Sequence, residues 1–400
     1  MEALVTRMRN DFDKLEDIAL HEFYRGRRVF VTGHTGFKGS WLCEWLLQMG
    51  AEVFGLALPP ESEPSLFTQL GLASRVHHIV GDVRDRDFVT REIANAAPDF
   101  LFHLAAQPLV RHSYSHPVDT YGTNVMGTVH VLEALRSLKH PCHAVFITTD
   151  KCYENQEWLY GYRECDPLGG HDPYSSSKAA AEIAIASFRR SFFSASSSVV
   201  RIASARAGNV IGGGDWASDR IVPDLVRALA AGNVVPVRNP RATRPWQHVL
   251  EPVSGYLWLG AKMSDTAALH PQGSLEGAFN FGPHVTSNRS VQELIEEALA
   301  HWSGKWEDRS DRSAVHEAHL LHLVIEKAFH LLDWQPVWGF AKTIQTTVDW
   351  YRRVHEGAPP AELTRSQLHA YIADARSAGV AWARGSQTAT TGDISAPTHS

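Results

Sequence analysis

The chain has 400 residues, of which 20% are charged, and its net charge is −6. This length predicts two lobes with large apolar cores, and an acidic balance without a basic stripe argues against nucleic acid as a partner. No apolar run reaches the roughly eighteen residues of a membrane span, and no signal-peptide core stands at the N-terminus. The four cysteines show no C-x-x-C spacing and the histidines no metal-binding motif. We therefore expect a cytoplasmic protein that contacts no membrane and holds no metal.

The first predicted elements form a nucleotide-binding unit. Residues 1–22 carry apolar side chains at helical spacing and predict an N-terminal extension. A strand at 28–32, a glycine-rich turn at 33–39 and a helix at 41–47 follow. This order predicts a dinucleotide site, because the glycines let the backbone approach a pyrophosphate at the helix N-terminus. The turn supplies the predicted cofactor residues Gly33, Thr35, Gly36, Phe37, Lys38 and Gly39.

The second predicted strand, 52–58, ends without the acidic residue that usually binds the adenosine ribose, so this position does not choose between NAD and NADP. Further strands are predicted at 76–83, 100–107 and 144–149, with helices between them. The alternation predicts an α/β fold, a Rossmann-type doubly wound parallel sheet whose strand ends meet at one ligand-binding edge. The cofactor residues predicted at these ends are Asp82, Val83, Ala105, Ala106, Gln107 and Thr148.

Two groups of residues predict acid/base chemistry. Tyr174 and Lys178 are four residues apart, so they lie on one face of a helix. Tyrosine titrates near ~10, and a neighbouring ammonium, with the positive charge of an oxidised nicotinamide, favours the phenolate and lowers that pKa. Thr149, Asp150 and Lys151, at the end of the fifth predicted strand, add a second acid/base pair, which indicates oxidation followed by elimination. The alternative is an ordinary surface ion pair between Asp150 and Lys151.

The same patterns divide the chain into domains. Residues 23–205, with a return segment at about 247–280, are predicted to form the dinucleotide-binding domain. Residues 206–246 and 281–370 are predicted to form a smaller, mixed α/β substrate-binding lobe. Residues 380–400 are predicted to be a disordered tail, because Gly, Ser, Thr and Ala dominate it and provide too little apolar surface to fold.

The chain resembles the extended short-chain dehydrogenase/reductases and, among them, the CDP-glucose 4,6-dehydratases, over roughly residues 24–351. The resemblance rests on six motifs: VFVTGHTGFKGSWL, HLAAQPLVRHSY, TTDKCYEN, DPYSSSKAAAE, ARAGNVIGGGDWASDRIVPD and RNPRATRPWQHVLEP. Related dehydratases that act on dTDP-glucose carry Asp-Glu where this chain has Asp150-Lys151. The resemblance implies NAD as the cofactor, CDP-glucose as the substrate, and a homodimer or homotetramer.

The resemblance also implies a reaction in three steps. Tyr174 removes the proton of the C4 hydroxyl while hydride passes from C4 to NAD, with Thr149 holding that hydroxyl and Lys178 binding the nicotinamide ribose. Water then leaves across C5 and C6, and hydride returns to C6. Asp150 is the implied acid for the departing C6 hydroxyl, and Lys151, or a water that it orients, is a candidate for the C5 proton. The division of roles between Asp150 and Lys151 stays open, because buried pairs titrate jointly.

Further binding residues come from the same motifs. The implied substrate residues are Arg111, Arg206, Asn209, Trp216, Arg220 and Arg244. Arg244 suits a diphosphate, because a guanidinium binds it in bidentate fashion; Arg206 has an equally good structural interpretation. Asn124 is implied either at the cofactor or as an architectural residue. The competing functions are an epimerase, a dehydratase for another nucleotide, and a dinucleotide-sensing regulator without chemistry.

Overall fold

The computed structural model describes residues 19–194, 198–265, 275–310 and 320–385. Seven strands form one parallel sheet in the order β11-β6-β5-β4-β1-β2-β3. The strands of the described chain are β1 Arg28–Thr32, β2 Glu52–Ala57, β3 His77–Val80, β4 Phe100–His103, β5 Cys142–Ile147, β6 Val200–Ala207, β7 Val210–Ile211, β8 Val235–Val237, β9 Thr243–Pro245, β10 Gln247–His248, β11 Ala278–Phe281, β12 Asn288–Ser290 and β13 Trp306–Asp308.

Helices cover both faces of the sheet. Those described are α1 Ala19–Tyr24, α2 Phe37–Gln48, α3 Leu66–Gln69, α4 Arg86–Ala96, α5 Val110–Ser115, α6 Pro117–Tyr121, α7 Gly127–Arg136, α8 Pro173–Phe188, α9 Ile221–Ala230, α10 Leu250–Ser264, α11 Val291–His301, α12 Glu326–Leu332, α13 Phe340–His355 and α14 Pro360–Ser377. Within the described ranges, no helix is both long enough and apolar enough to cross a membrane.

Two apolar cores flank the sheet because successive strand residues point to opposite faces. On β1, Val29 and Val31 join the core that includes α2 and α10, whereas Phe30 joins the core of α4, α7 and α8. The predicted Rossmann-type doubly wound sheet is therefore confirmed. Helix α10 and strand β11 lie in the return segment predicted at about 247–280, and β11 pairs with β6 at the edge of the sheet.

A smaller α/β part stands beside the carboxyl edge of the sheet. It contains three two-stranded pairs: β7 with β10 and β8 with β13 are parallel, and β9 with β12 is antiparallel. The strong amphipathic character of α9 and α13 lets them bury apolar faces against these short strands. Except for β10, which lies at the start of the predicted return segment, these elements fall in the two segments predicted to form the substrate-binding lobe.

The two ends of the described chain meet. The Ala19 amide donates a hydrogen bond to the Arg384 carbonyl oxygen at 2.9 Å. Trp382 is fully buried and stacks on Tyr371 with ring centroids 5.6 Å apart. The predicted disordered tail is therefore wrong for residues 380–385, because one aromatic side chain anchors a segment of otherwise small residues. Residues 1–18 of the predicted extension and 386–400 of the predicted tail lie outside the described residues.

Candidate active site

A cavity of about 1390 Å³ opens at the carboxyl edge of the sheet, between the strand ends and the smaller lobe. This volume exceeds that of a usual single-ligand pocket and suits two adjacent ligands. Most of the predicted site residues line it: Gly33, Thr35, Gly36, Phe37, Lys38, Gly39, Asp82, Val83, Ala105, Ala106, Arg111, Thr148, Thr149, Lys151, Tyr174, Lys178, Asn209, Trp216, Arg220 and Arg244. Four predicted residues are not part of its lining: Gln107, Asn124, Asp150 and Arg206.

The glycine turn lets helix α2 begin at the cavity. Gly33 has φ +75°, and a Cβ there would lie 2.7 Å from the Ala105 amide nitrogen, so only glycine fits between β1 and the segment after β4. A Cβ at Gly39 would overlap the Gly33 carbonyl oxygen, whereas Gly36 meets only that oxygen, at 3.4 Å. The first turn of α2, beginning at Phe37, therefore faces the cavity and is suited to an anionic group.

The end of the cavity near β2 and β3 contains the predicted cofactor residues Thr35 and Asp82. Thr35 Oγ1 donates to the Leu58 carbonyl oxygen at 2.9 Å, which fixes the turn against the end of β2. Asp82 lines the cavity, and its Oδ2 accepts hydrogen bonds of 2.9 and 2.7 Å from the Arg84 guanidinium. The sequence predicted Asp82 as a cofactor residue but did not predict that Arg84 would bind its carboxylate.

Helix α8 places Tyr174 and Lys178 in the cavity. Asp172 accepts a hydrogen bond of 2.9 Å from the Ser175 amide and caps the helix, and Pro173 occupies its first turn. The Tyr174 amide donates to Ser113 Oγ at 3.2 Å, which ties the helix start to α5. Tyr174 and Lys178, one turn apart, are both buried, as the predicted pairing on one helix face requires.

The protein's own groups set the pKa of this pair in an unexpected direction. Burial raises the pKa of Tyr174 to about 12, against a hydrogen bond with Thr149 and the charge of Arg220, which lower it. Burial also lowers the pKa of Lys178 to about 8, while the charge of Glu182 opposes that change. The predicted lowering of the tyrosine pKa is thus not produced by the protein's own groups, because desolvation outweighs the hydrogen bond.

The doublet after β5 is an integral part of the site. Thr149 caps the short 3-10 turn Asp150–Cys152, and its Oγ1 donates to Asp150 Oδ1 at 2.9 Å. Asp150 is only 2% exposed, so it is not a member of a surface ion pair. Burial raises its pKa, although Lys151 and Thr149 counteract this. Asp150 lies directly behind the cavity wall, where a Cβ on Gly208 would come within 2.9 Å of Asp150 Oδ2.

Lys38 belongs to the glycine turn but reaches towards the acid/base groups. Its Nζ donates to Tyr256 Oη at 3.2 Å. Burial, together with the positive charges of Lys178 and Arg220, lowers the pKa of Lys38 to about 7. The position of Lys38 in the glycine turn predicted a contact with the cofactor. Its hydrogen bond with Tyr256 could not be predicted from the sequence.

The far end of the cavity carries several cationic side chains. Arg220 Nη1 donates to Asp215 Oδ2 at 2.9 Å, and Arg244 Nη1 donates to the Thr243 carbonyl oxygen at 2.8 Å. Arg111 lies 3.6 Å from Asp219. In the same region, Asn209 and Trp216 line the wall. This part of the cavity is suited to phosphate groups.

Arg206 is the main correction to the predicted site. It is 4% exposed and turned away from the cavity: its Nη2 donates to Glu182 Oε2, and its Nη1 donates to Tyr153 Oη, both at 2.8 Å. The prediction that Arg206 binds substrate is therefore not supported by its placement. The physical reason is strand parity, since Ala205 and Ala207 face the α2 core and the residue between them faces α8.

Asn124 and Gln107 have architectural positions behind the cavity. Asn124 Oδ1 accepts from the Gln107 amide at 2.8 Å, and Asn124 Nδ2 donates to Ser177 Oγ at 2.9 Å. Gln107 Nε2 donates to Thr120 Oγ1 at 2.9 Å. These bonds connect the segment after β4 to helix α8, so both residues hold the walls in place. The architectural interpretation of Asn124 fits this placement.

Sequence reasoning missed Glu182. Its carboxylate is buried on α8 and accepts hydrogen bonds from Thr148, Ser204 and Arg206. The available signal was a glutamate four residues after Lys178 on a helix whose neighbouring positions are mostly alanine. Over the described ranges, no cluster of three or more His, Cys, Asp and Glu side chains could hold a metal ion.

Comparison with known proteins identifies the family. The family model described as GDP-mannose 4,6 dehydratase matches residues 30–347. The chain belongs to the nucleotide-sugar 4,6-dehydratase family. This confirms the family predicted from the motifs.

Individual members show how similar the chain is to the family. The CDP-glucose 4,6-dehydratase of Salmonella typhimurium is 44% identical over 354 residues, which are 88% of this chain and 97% of that protein. The CDP-paratose 2-epimerase of Salmonella typhi is 26% identical over 349 residues, covering 81% of this chain and 98% of the epimerase. The structure of dTDP-glucose 4,6-dehydratase from Streptomyces venezuelae, with NAD bound, has a TM-score of 0.69 at 23% identity, with 84% of this chain and 99% of that one covered. This structural likeness supports the fold.

Proposed function

We propose that the protein is a CDP-glucose 4,6-dehydratase, which converts CDP-glucose to CDP-4-keto-6-deoxyglucose and water with NAD as its cofactor. The observation that carries this proposal is the presence of two acid/base sets around one cavity. Tyr174 and Lys178 provide the set for oxidation, and Asp150 and Lys151 provide the set for elimination. The 44% identity to a CDP-glucose 4,6-dehydratase over 88% of the chain supports the nucleotide and the sugar.

The residues of the cavity fit NAD. The close packing at Gly33 and Gly39 and the open side of Gly36 leave room for a diphosphate at the first turn of α2. Ala105 and Ala106 line the adjoining wall with small side chains. Lys178, in the lining of the cavity, would supply a hydrogen-bond donor to the nicotinamide ribose. When bound, NAD supplies the hydride acceptor for C4, the hydride donor for C6 and a positive charge beside the phenol of Tyr174.

The first chemical task of the protein is removal of the C4 hydroxyl proton. Tyr174 accepts this proton, and the neighbouring Thr149 lowers the pKa of its phenol. The nearby charge of Arg220 also favours the phenolate. The ionised form of Tyr174 still needs further positive charge, because burial keeps its pKa at about 12 although Thr149 and Arg220 lower it.

The second task is elimination of water across C5 and C6. The C4 ketone makes the C5 proton acidic, and Lys151, on the cavity surface, accepts it directly or through an ordered water. Asp150 donates a proton to the C6 hydroxyl, which leaves as water. Burial suits Asp150 to this role, because it raises the pKa of the carboxyl and thereby retains the proton that is donated.

Incubation of the purified protein with CDP-glucose and NAD, followed by mass spectrometry, tests this function. The expected product has lost one water, carries solvent deuterium at C5 when the reaction is run in heavy water, and forms without equivalent accumulation of NADH. A product of unchanged mass would indicate an epimerase, which one relative at 26% identity makes the second candidate. Absence of any turnover would favour a dinucleotide-sensing regulator, and equal specificity constants for CDP-, dTDP- and UDP-glucose would remove the cytidine assignment.

We also propose that the protein works in the cytoplasm as a homodimer. Its four cysteines are unpaired thiols, which fits a reducing compartment. Val118, Tyr121, Met126 and Ile183 expose 82, 40, 47 and 57% of their surfaces on or next to helices α6 to α8, and such apolar groups favour burial against a second copy. Light scattering is expected to give twice the chain mass, with Ile183→Asp shifting it towards one chain. A tetramer that the variant splits into dimers would assign this surface to one of two interfaces.

A further inference from the structure

Two buried residues of opposite charge, Lys178 and Glu182, lie on helix α8. They are one turn apart, which places their side chains about 6 Å from each other on one helix face. Both are buried, Lys178 at the cavity wall and Glu182 behind it. The Glu182 carboxylate accepts hydrogen bonds from Thr148 Oγ1 at 2.5 Å and Ser204 Oγ at 2.8 Å, and Arg206 Nη2 binds it at 2.8 Å. These three donors keep Glu182 ionised despite its burial.

The charged and titratable groups around Lys178 come from several elements. Lys38 on α2 is a second cation, and its own pKa is lowered by Lys178. His103 on β4 is neutral, since burial lowers its pKa to about 3, and burial keeps Cys152 a neutral thiol by raising its pKa. Glu182 supplies the negative charge in this set, and it opposes the effect of burial on the pKa of Lys178.

We propose that Glu182 is a positioning residue whose fixed negative charge keeps the Lys178 side chain ionised at neutral pH. A buried ammonium loses its hydration, and a fixed carboxylate one turn away compensates for that loss. The proposal rests on the proposed dehydratase function, in which an ionised Lys178 supports Tyr174 and binds the cofactor. It assigns to Glu182 a role that acts through Lys178 and involves no contact with the sugar.

The test uses Glu182→Gln, which removes the charge but keeps the size, and Glu182→Asp, which keeps the charge. Two readouts are needed: the pH dependence of kcat with CDP-glucose, and the titration of the Lys178 amine measured by trace acetic anhydride labelling and mass spectrometry. In Glu182→Gln we expect the alkaline limb of kcat and the Lys178 titration both to move about one pH unit lower. Glu182→Asp is expected to restore most of the wild-type profile.

Glu44 offers a matched control. It is also a fully buried glutamate held by two arginines, with Arg75 Nη1 at 2.5 Å and Arg365 Nε at 2.8 Å, but it lies on the far part of α2. Glu44→Gln removes the same charge from a similar ion-pair network. It is expected to leave both the kcat profile and the Lys178 titration at their wild-type positions.

A second variant keeps the test of Glu182 decisive if Glu182→Gln does not fold. Should circular dichroism show that Glu182→Gln is unfolded, Glu182→Gln/Arg206→Gln, which leaves no buried charge unpaired, replaces it. Its expected shift has the same direction but is smaller, because the positive charge of Arg206 is removed as well. Coincident Lys178 titrations in wild type and in the folded Gln variant would overturn the proposal. Failure of the wild-type protein to dehydrate CDP-glucose would overturn the proposed function instead, and the labelling titration would still decide the role of Glu182.

Discussion

Replacing Arg206 by Met tests whether this arginine supports the fold or binds the substrate. The side chains of Arg206 and Glu182 are 5% and 3% exposed and their charged atoms are 2.8 Å apart. Removing one partner leaves the other charge buried and uncompensated, which typically costs about 3–5 kcal/mol. Hydrogen bonds from Thr148 and Ser204 remain on Glu182, so we expect a loss near the lower end of that range. Urea unfolding, followed by fluorescence, measures it.

Two further variants make this measurement specific. Arg201→Met, on the same strand, removes a partly exposed arginine 3.9 Å from Glu276 and is expected to cost less than about 1 kcal/mol. Arg206→Met/Glu182→Leu replaces the whole pair with apolar groups and is expected to recover most of the lost stability, because no lone charge remains buried. If Arg206→Met has the free energy of unfolding of the wild type while its KM for CDP-glucose rises strongly, the structural role of Arg206 is wrong. Arg206 would then be a substrate-binding residue.

Three other predictions concern the acid/base groups and one buried carboxyl. Tyr174→Phe is expected to lower kcat by at least ~10²-fold and to show no NADH absorbance. Asp150→Asn and Lys151→Met are instead expected to accumulate enzyme-bound NADH on mixing with CDP-glucose. Wild-type turnover in both of these variants would contradict this prediction. Thr149→Val removes a hydrogen bond that lowers the pKa of Tyr174, so kcat is expected to fall about tenfold and its acid limb to move to higher pH; an unmoved limb would count against it. Burial raises the pKa of Glu251 to about 7, so its stabilising effect is complete below its unfolded pKa and is lost as pH rises towards 7. Glu251→Gln is expected to flatten that loss, roughly 3 kcal/mol, in urea unfolding between about pH 5 and pH 8, and a wild-type slope in the variant would refute it.

The main elements of the fold were predictable because they carry local patterns. The apolar run at 28–32 coincides with β1, and the glycine turn leads directly into α2, as predicted. The short strand pairs of the smaller lobe were not predictable, since two- and three-residue strands have no measurable periodicity. Trp382 shows a further limit: its burial depends partly on a contact with Trp45, which is remote in sequence.

The site was predictable where chemistry is encoded in neighbouring residues. Tyr174 and Lys178 follow from helical spacing, and the burial of Asp150 follows from its position after a central strand. Arg206 was misassigned because its role depends on which face of β6 it occupies, and the sequence prediction placed a domain boundary at that residue. Glu182 was missed because an acidic residue on a helix usually indicates a solvated face. Its burial results from contacts with Thr148, directly after β5, and Ser204 on β6, which the helix sequence does not reveal.

Burial acts in the same sense on four ionisable groups at the cavity. It raises the pKa of Asp150 and Tyr174 and lowers that of Lys38 and Lys178, so each group is moved towards its uncharged form. This suits elimination, because a neutral carboxylic acid is the form that protonates a leaving hydroxyl. It opposes oxidation, because a phenolate and an ammonium must both be charged. The oxidation step therefore depends on added charges close to the pair: Arg220 supplies one for Tyr174 and Glu182 one for Lys178, and a bound nicotinamide would supply a further positive charge.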